Sequence, residues 1–164
     1  MRYSWTMGSA LEYARAGRIE NWVHEFLRQD GNNKALSEGL KLCPRHYLGP
    51  IQFDIGKLSR CAGPEPGMKY RGSVSSFESR VRNIQDAIAA GFDLPPLIVN
   101  YSGGRLELND GNHRLEALNR SGRQHFGVIF WTTERAEMAA LSKLLEGQIF
   151  DRGQHPPARA ADQS

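Results

Sequence analysis

At 164 residues, with 40% hydrophobic and 24% charged residues, the chain is long enough for one domain with a real core. A formal net charge of +3 suits a phosphate-bearing ligand but is far too small to mark a nucleic-acid binder by itself. No apolar run approaches the roughly 20 residues of a membrane span. The stretch from Met1 to Gly17 lacks an apolar secretory core, and Cys43 and Cys61 stand in no metal-like spacing. A cytoplasmic protein with reduced thiols, and no membrane partner, is the expectation.

Three short helices are expected first. Ser9 is placed to cap one over ALEYARA that ends at Gly17, and Ile19, Trp22, Val23, Phe26 and Leu27 recur at helical spacing up to about Gln29. Asp30-Gly31-Asn32-Asn33 breaks that helix, its two asparagines reading as turn formers that can close over a ligand. Lys34 to Leu42 is a third helix. Trp22 and Phe26 read as residues that dock this front section, 1–48, on the rest of the chain.

From Gly49 the pattern changes. Ile51, Phe53 and Ile55 alternate with polar residues, a strand signal, and CAGPEPGMKYRGS then forms a long loop. Lys57 to Arg82 carries six basic residues, Lys57, Arg60, Lys69, Arg71, Arg80 and Arg82, against Glu65 and Glu78. This local excess of +4 fits either a solvated loop or a ligand-facing patch, with Lys69 and Arg71 as candidate ligand-facing cations. Ser75 with Glu78 has capping-box spacing for a helix over Phe77 to Ala90. Pro96 to Tyr101 and Arg105 to Leu108 make a hairpin around Ser102-Gly103-Gly104. A helix from Asn112 to about Arg120, a strand from Phe126 to Trp131 and a helix capped by Thr133 complete the domain, 49–150. The segment 151–164 has little to bury and is expected to be a disordered tail.

The chemistry concentrates in LNDGNHRLEA, residues 108–117, where a strand hands over to a helix. The first N–H groups of a helix lack intrahelical acceptors, and the helix dipole favours negative charge there. Gly111 removes side-chain bulk, Asn112 offers an amide, and His113 and Arg114 add donors. Two basic groups in a first turn are unfavourable for the dipole unless an anion is present. Gly111, Asn112, His113 and Arg114 are therefore the candidate cradle for phosphate groups. The competing reading is a polar turn in which Asp110 caps the helix and the rest are exposed.

The course from Pro50 to Trp131, with D-G-N-H-R-L-E-A following the PPLIV strand, resembles the ParB/sulfiredoxin-like superfamily. The resemblance implies an α+β fold, a small mixed sheet with packed helices, here carrying an N-terminal helical extension. It also implies a nucleotide (ATP, ADP or CTP) with its phosphates on Gly111, Asn112, His113 and Arg114, and Mg²⁺ arriving with the nucleotide. Asn112 stands where sulfiredoxins carry their reactive cysteine, so sulfinic-acid reduction is not expected. The 33 residues after Trp131 leave no room for the DNA-reading and dimerisation parts of partition proteins. The D-G-x-x-R motif is also similar to that of free serine kinases, which implies a loop carboxylate, Glu65, activating a substrate hydroxyl. Asp110 is the second candidate catalytic residue, as general base or Mg²⁺ ligand. His24, His46, His125 and His155 show no ligand spacing, so no protein-only metal site is expected. The leading expectation is a nucleotide-dependent phosphotransferase or hydrolase acting on a small hydroxyl compound. A non-catalytic nucleotide switch is the alternative, and a DNA-associated module is less favoured.

Overall fold

A computed structural model describes residues 4–153 of the chain, with side chains for residues 4–147. Within these residues lie six α-helices, a four-stranded mixed sheet and a two-stranded parallel pair, a mixed α+β arrangement. The order along the chain is α1 (Met7–Arg15), α2 (Ile19–Arg28), α3 (Lys34–Leu40), β1 (His46–Asp54), β2 (Ala62–Gly63), β3 (Tyr70–Arg71) and α4 (Val74–Ala89). It continues with β4 (Leu97–Ser102), β5 (Arg105–Asp110), α5 (Asn112–Arg120), β6 (His125–Thr132) and α6 (Arg135–Gly153). The tail expected from residue 151 lies outside the described residues beyond Gly153. None of the described helices is long and apolar enough to cross a membrane.

The main sheet has the order β1-β6-β4-β5, with β1·β6 and β4·β5 antiparallel and β4·β6 parallel. Its central strands are buried on both faces, which explains the unbroken apolar runs LIV in β4 and VIF in β6. Leu97, Val99, Val128 and Phe130 point to one face, where Leu115 and Leu118 of α5 and Leu141 and Leu145 of α6 cover them. Ile98 and Ile129 point to the other, against Trp22, Phe26 and Leu27 of α2. Trp22 stacks on Phe26 with ring centroids 4.9 Å apart. The helical front is thus a layer of the core, and the boundary expected at residues 48/49 falls inside β1. Helix α4 sits outside α5, with Phe77, Val81, Ile84 and Ala87 closing over Ala117.

Several expected caps move. Thr6, not Ser9, caps α1, and Ser9 reciprocates as the third helical residue of a capping box. Ser73, not Ser75, caps α4 by accepting from the Ser76 N–H, while Glu78 turns outward to pair with Arg120 at 2.7 Å. Thr133 accepts from Arg45, and α6 begins two residues later at Arg135. Asn33 caps α3 through its side-chain oxygen, and Gly111 opens α5 with φ 106° and no side-chain cap.

Candidate functional site

A cavity of about 530 Å³ opens where the β5–α5 junction meets the α2–α3 turn and the loop after β1. Asp110, Gly111, Asn112 and His113 line it from the junction. Gly31, Asn32, Asn33, Ala35 and Leu36 line it from the turn. The remaining wall comes from Ala62 and Tyr70 of the loop, Arg80 of α4, and Glu107 and Asn109 of β5.

Gly111 is required by the backbone and by packing. Its φ of 106° belongs to the left-handed half of conformational space, and a Cβ there would meet Leu97 Cδ2 at 2.5 Å and Arg114 Nη2 at 3.1 Å. The glycine thus serves the fold first, rather than simply clearing room for a ligand. Because it has no side chain to cap α5, the first-turn N–H groups of that helix lie beside the cavity without a capping oxygen.

Asn112 faces the cavity but its amide is engaged. Its Oδ1 accepts from the N–H of Cys61 at 2.8 Å and of Ala62 at 3.1 Å, pinning the loop to the start of α5. The Cys61 thiol adds a hydrogen bond to the Leu108 carbonyl. His113 reaches the cavity with its ring tilted against Phe77, centroids 5.2 Å apart. Burial, then the guanidinium groups of Arg80, Arg114 and Arg60, push its imidazole below the ordinary value, with Asp110 opposing. The imidazole is therefore neutral near pH 7 and presents one donor and one acceptor nitrogen.

Arg114 does not reach the cavity wall. It is 8% exposed, and its Nη2 donates both to Asp110 Oδ2 at 3.1 Å and to the Pro96 carbonyl at 3.1 Å. Its guanidinium lies 5.4 Å from the centroid of Phe26. The puzzle of two cations in the first turn of α5 is resolved without a ligand, since Arg114 is balanced by Asp110 and His113 is neutral. Asp110 lines the cavity, is 8% exposed, and has both oxygens in use, Oδ1 accepting from Asn33 at 3.2 Å.

The other expected residues disperse. Glu65 is turned to Arg60, which holds its carboxyl below the usual range, so it is a weak base. Arg60 also pairs with Glu116 at 3.1 Å and lies over the Phe77 ring. Lys69 pairs with Glu107 at 3.1 Å and sits 5.5 Å from the Tyr70 ring centroid, while Arg71 donates to the Pro64 carbonyl. None of Glu65, Lys69 or Arg71 lines the cavity.

Arg80 does, and among the described residues no carboxylate pairs with it. It was one of six cations in a basic stretch, and only its placement on α4, one turn beyond Phe77, separates it from the others. Tyr70 and Glu107 carried no motif, and Asn109, though inside the 108–117 stretch, was not singled out as a cavity residue. With Asp110 balanced by Arg114 and Glu107 by Lys69, Arg80 and the α5 dipole leave this wall favourable to an anion. The described residues contain no cluster of three His, Cys, Asp or Glu side chains able to hold a metal ion. A divalent cation here would need ligands from a bound phosphate as well. Comparison of the chain with protein-family models, with curated proteins and with solved structures gives no match in any of the three.

Proposed function

We propose that the chain is a nucleotide-binding protein of the ParB/sulfiredoxin-like type, with the phosphates of ATP, ADP or CTP at the start of α5. The observation that carries this reading is the uncapped α5 N-terminus opening into a cavity of about 530 Å³ beside Arg80, with which no carboxylate pairs among the described residues. The D-G-N-H-R motif at a strand-to-helix junction of a small mixed sheet is in keeping with that fold type. The residues fit the group: backbone N–H donors from α5, Arg80 as cation and neutral His113 as a further donor would hold the phosphates. Arg114 acts one step back, by fixing Asp110.

Calorimetry against ATP, ADP and CTP tests the reading. Heat of binding is expected for at least one, and Arg80→Ala should weaken it by about 1 kcal/mol, roughly fivefold, because an exposed cation is partly screened. No heat with any of the three would overturn it.

The activity proposed is phosphoryl transfer from the nucleotide to a small hydroxyl compound, or to water in hydrolysis, with the nucleotide shortened by one phosphate as leaving group. A bound nucleotide, with Mg²⁺, supplies the phosphoryl group. Asp110 lines the cavity beside the α5 N-terminus and would take the acceptor's proton through Oδ1 in place of its Asn33 contact, whereas Glu65 does not line the cavity. One observation favours the alternative, a non-catalytic switch: both Asp110 oxygens are already occupied, by Asn33 and Arg114. Incubation with nucleotide and a panel of hydroxy amino acids separates the two. Phosphorylated product or released phosphate, lost in an Asp110→Asn variant that still binds nucleotide as tightly as the parent, supports the enzyme. A nucleotide-dependent change in mass by light scattering without turnover supports the switch.

A further inference from the structure

We propose that the α2–α3 turn and Tyr70 form the nucleoside end of the ligand site, which makes the helical front part of the binding machinery. This rests on the nucleotide reading above. The cavity volume lies within the range of roughly 300–1,000 Å³ common for small-molecule sites. Its chemistry is divided by chain segment. The cationic and N–H donor groups belong to α4 and α5. The Asn32 amide comes from the turn, the apolar side chains of Ala35 and Leu36 from the start of α3, and the Tyr70 ring from the loop. A ligand that is anionic at one end and planar with polar edges at the other matches this division.

The turn is built before any ligand arrives. Its N–H groups are spent on α2, Gly31 to the Phe26 carbonyl at 2.8 Å, Asn32 to Gln29 at 3.0 Å and Asn33 to Leu27 at 2.7 Å. Asn33 then caps α3 and donates to Asp110, tying the turn to the phosphate end. Asn32 is held at φ 45°, a conformation asparagine tolerates better than most residues, and its amide has no partner among the described residues. On a backbone held this way, the Asn32 amide offers a donor and an acceptor to a base or ribose edge. Tyr70 is 60% exposed although it lines the cavity, and Lys69 lies near its ring. An exposed aromatic ring at a cavity wall gains little for the fold and provides a stacking surface for a base.

Calorimetry of the full chain with ATP, CTP and inorganic tripolyphosphate tests the inference, using the parent, Tyr70→Ala, Tyr70→Phe and Asn32→Gly. Glycine keeps the positive φ and removes the amide. The parent should bind its better nucleotide roughly tenfold or more tightly than tripolyphosphate. Tyr70→Ala should raise the nucleotide Kd roughly tenfold and Asn32→Gly about fivefold, while Tyr70→Phe changes little. Tripolyphosphate affinity should stay within about twofold in all variants. Nucleotide binding that is unchanged in Tyr70→Ala and Asn32→Gly, or tripolyphosphate binding that falls equally, would overturn the inference and leave the nucleotide reading standing. A parent that binds none of ATP, CTP and ADP overturns both.

Discussion

Asp110 at the end of β5 and Arg114 in the first turn of α5, four residues apart, illustrate how a charge pattern changes meaning once it is buried. Their side chains are only 9% and 10% exposed, and each is the other's counter-ion. Removing one leaves a buried charge alone, which typically costs about 3–5 kcal/mol. Arg114→Ala should lose about that much in urea denaturation, and an unchanged midpoint would overturn the structural role given to this pair. Any loss of ligand binding in that variant must therefore be read against its fold. His113 and His24 provide a pH signature at the same scale. Burial is the first cause lowering both imidazoles below the ordinary 6.5. The unfolded chain then binds protons first as pH falls, so stability is complete above that value and declines as pH drops through it toward the folded-state pKa. Chemical denaturation at pH about 7.5 and about 5.5 should show lower stability at the acid end. His113→Gln should reduce the slope, and an unchanged slope would show that the His113 imidazole is not desolvated.

At the scale of elements, helix starts decide where the site sits. Ser73 caps α4, and Ser73→Ala should cost about 1 kcal/mol in thermal or chemical unfolding, whereas Ser75→Ala should stay within about 0.5 kcal/mol. The reverse order would restore the cap expected from the Ser75/Glu78 spacing. α5 differs because its first residue is preceded by glycine at φ 106°, so nothing on the helix itself covers its N-terminus. The loop that could cover it is held to one side by Asn112, through the N–H groups of Cys61 and Ala62, and by Arg60, through Glu116. Strand, glycine, uncapped helix and tethered loop together leave the cavity open.

For the whole molecule, the sheet needs both of its helical layers. Ile98 and Ile129 are fully buried by α2, with Leu40 and Ala10 completing that side. A chain beginning at His46 would expose this face and lose the Asn33 contact to Asp110. It should therefore lose the cooperative unfolding transition and bind a hydrophobic dye strongly. A cooperative, dye-silent fragment would show that the front is dispensable to the fold.

Periodicity alone determined the number and type of the main helices and the four sheet strands, because the faces of Trp22/Phe26, Val81/Ile84 and Leu115/Leu118 are written at helical spacing and β4 and β6 as apolar runs. It also placed the D-G-N-H-R segment at a strand-to-helix junction, while the choice between Asp110 and Gly111 at the cap position was made only in the structure. Capping was less legible, since Ser73 and Ser75, or Thr6 and Ser9, are locally equivalent acceptors. Which charges are free was decided only in three dimensions. Arg114 and Glu65 pair with nearby Asp110 and Arg60, Lys69 pairs across to Glu107 on β5, and Arg80, one cation among six in its stretch, is left facing the cavity. Charge pairing depends on distance and burial rather than on sequence separation, so the tertiary structure alone could distinguish the ligand-facing groups from those that hold the fold together.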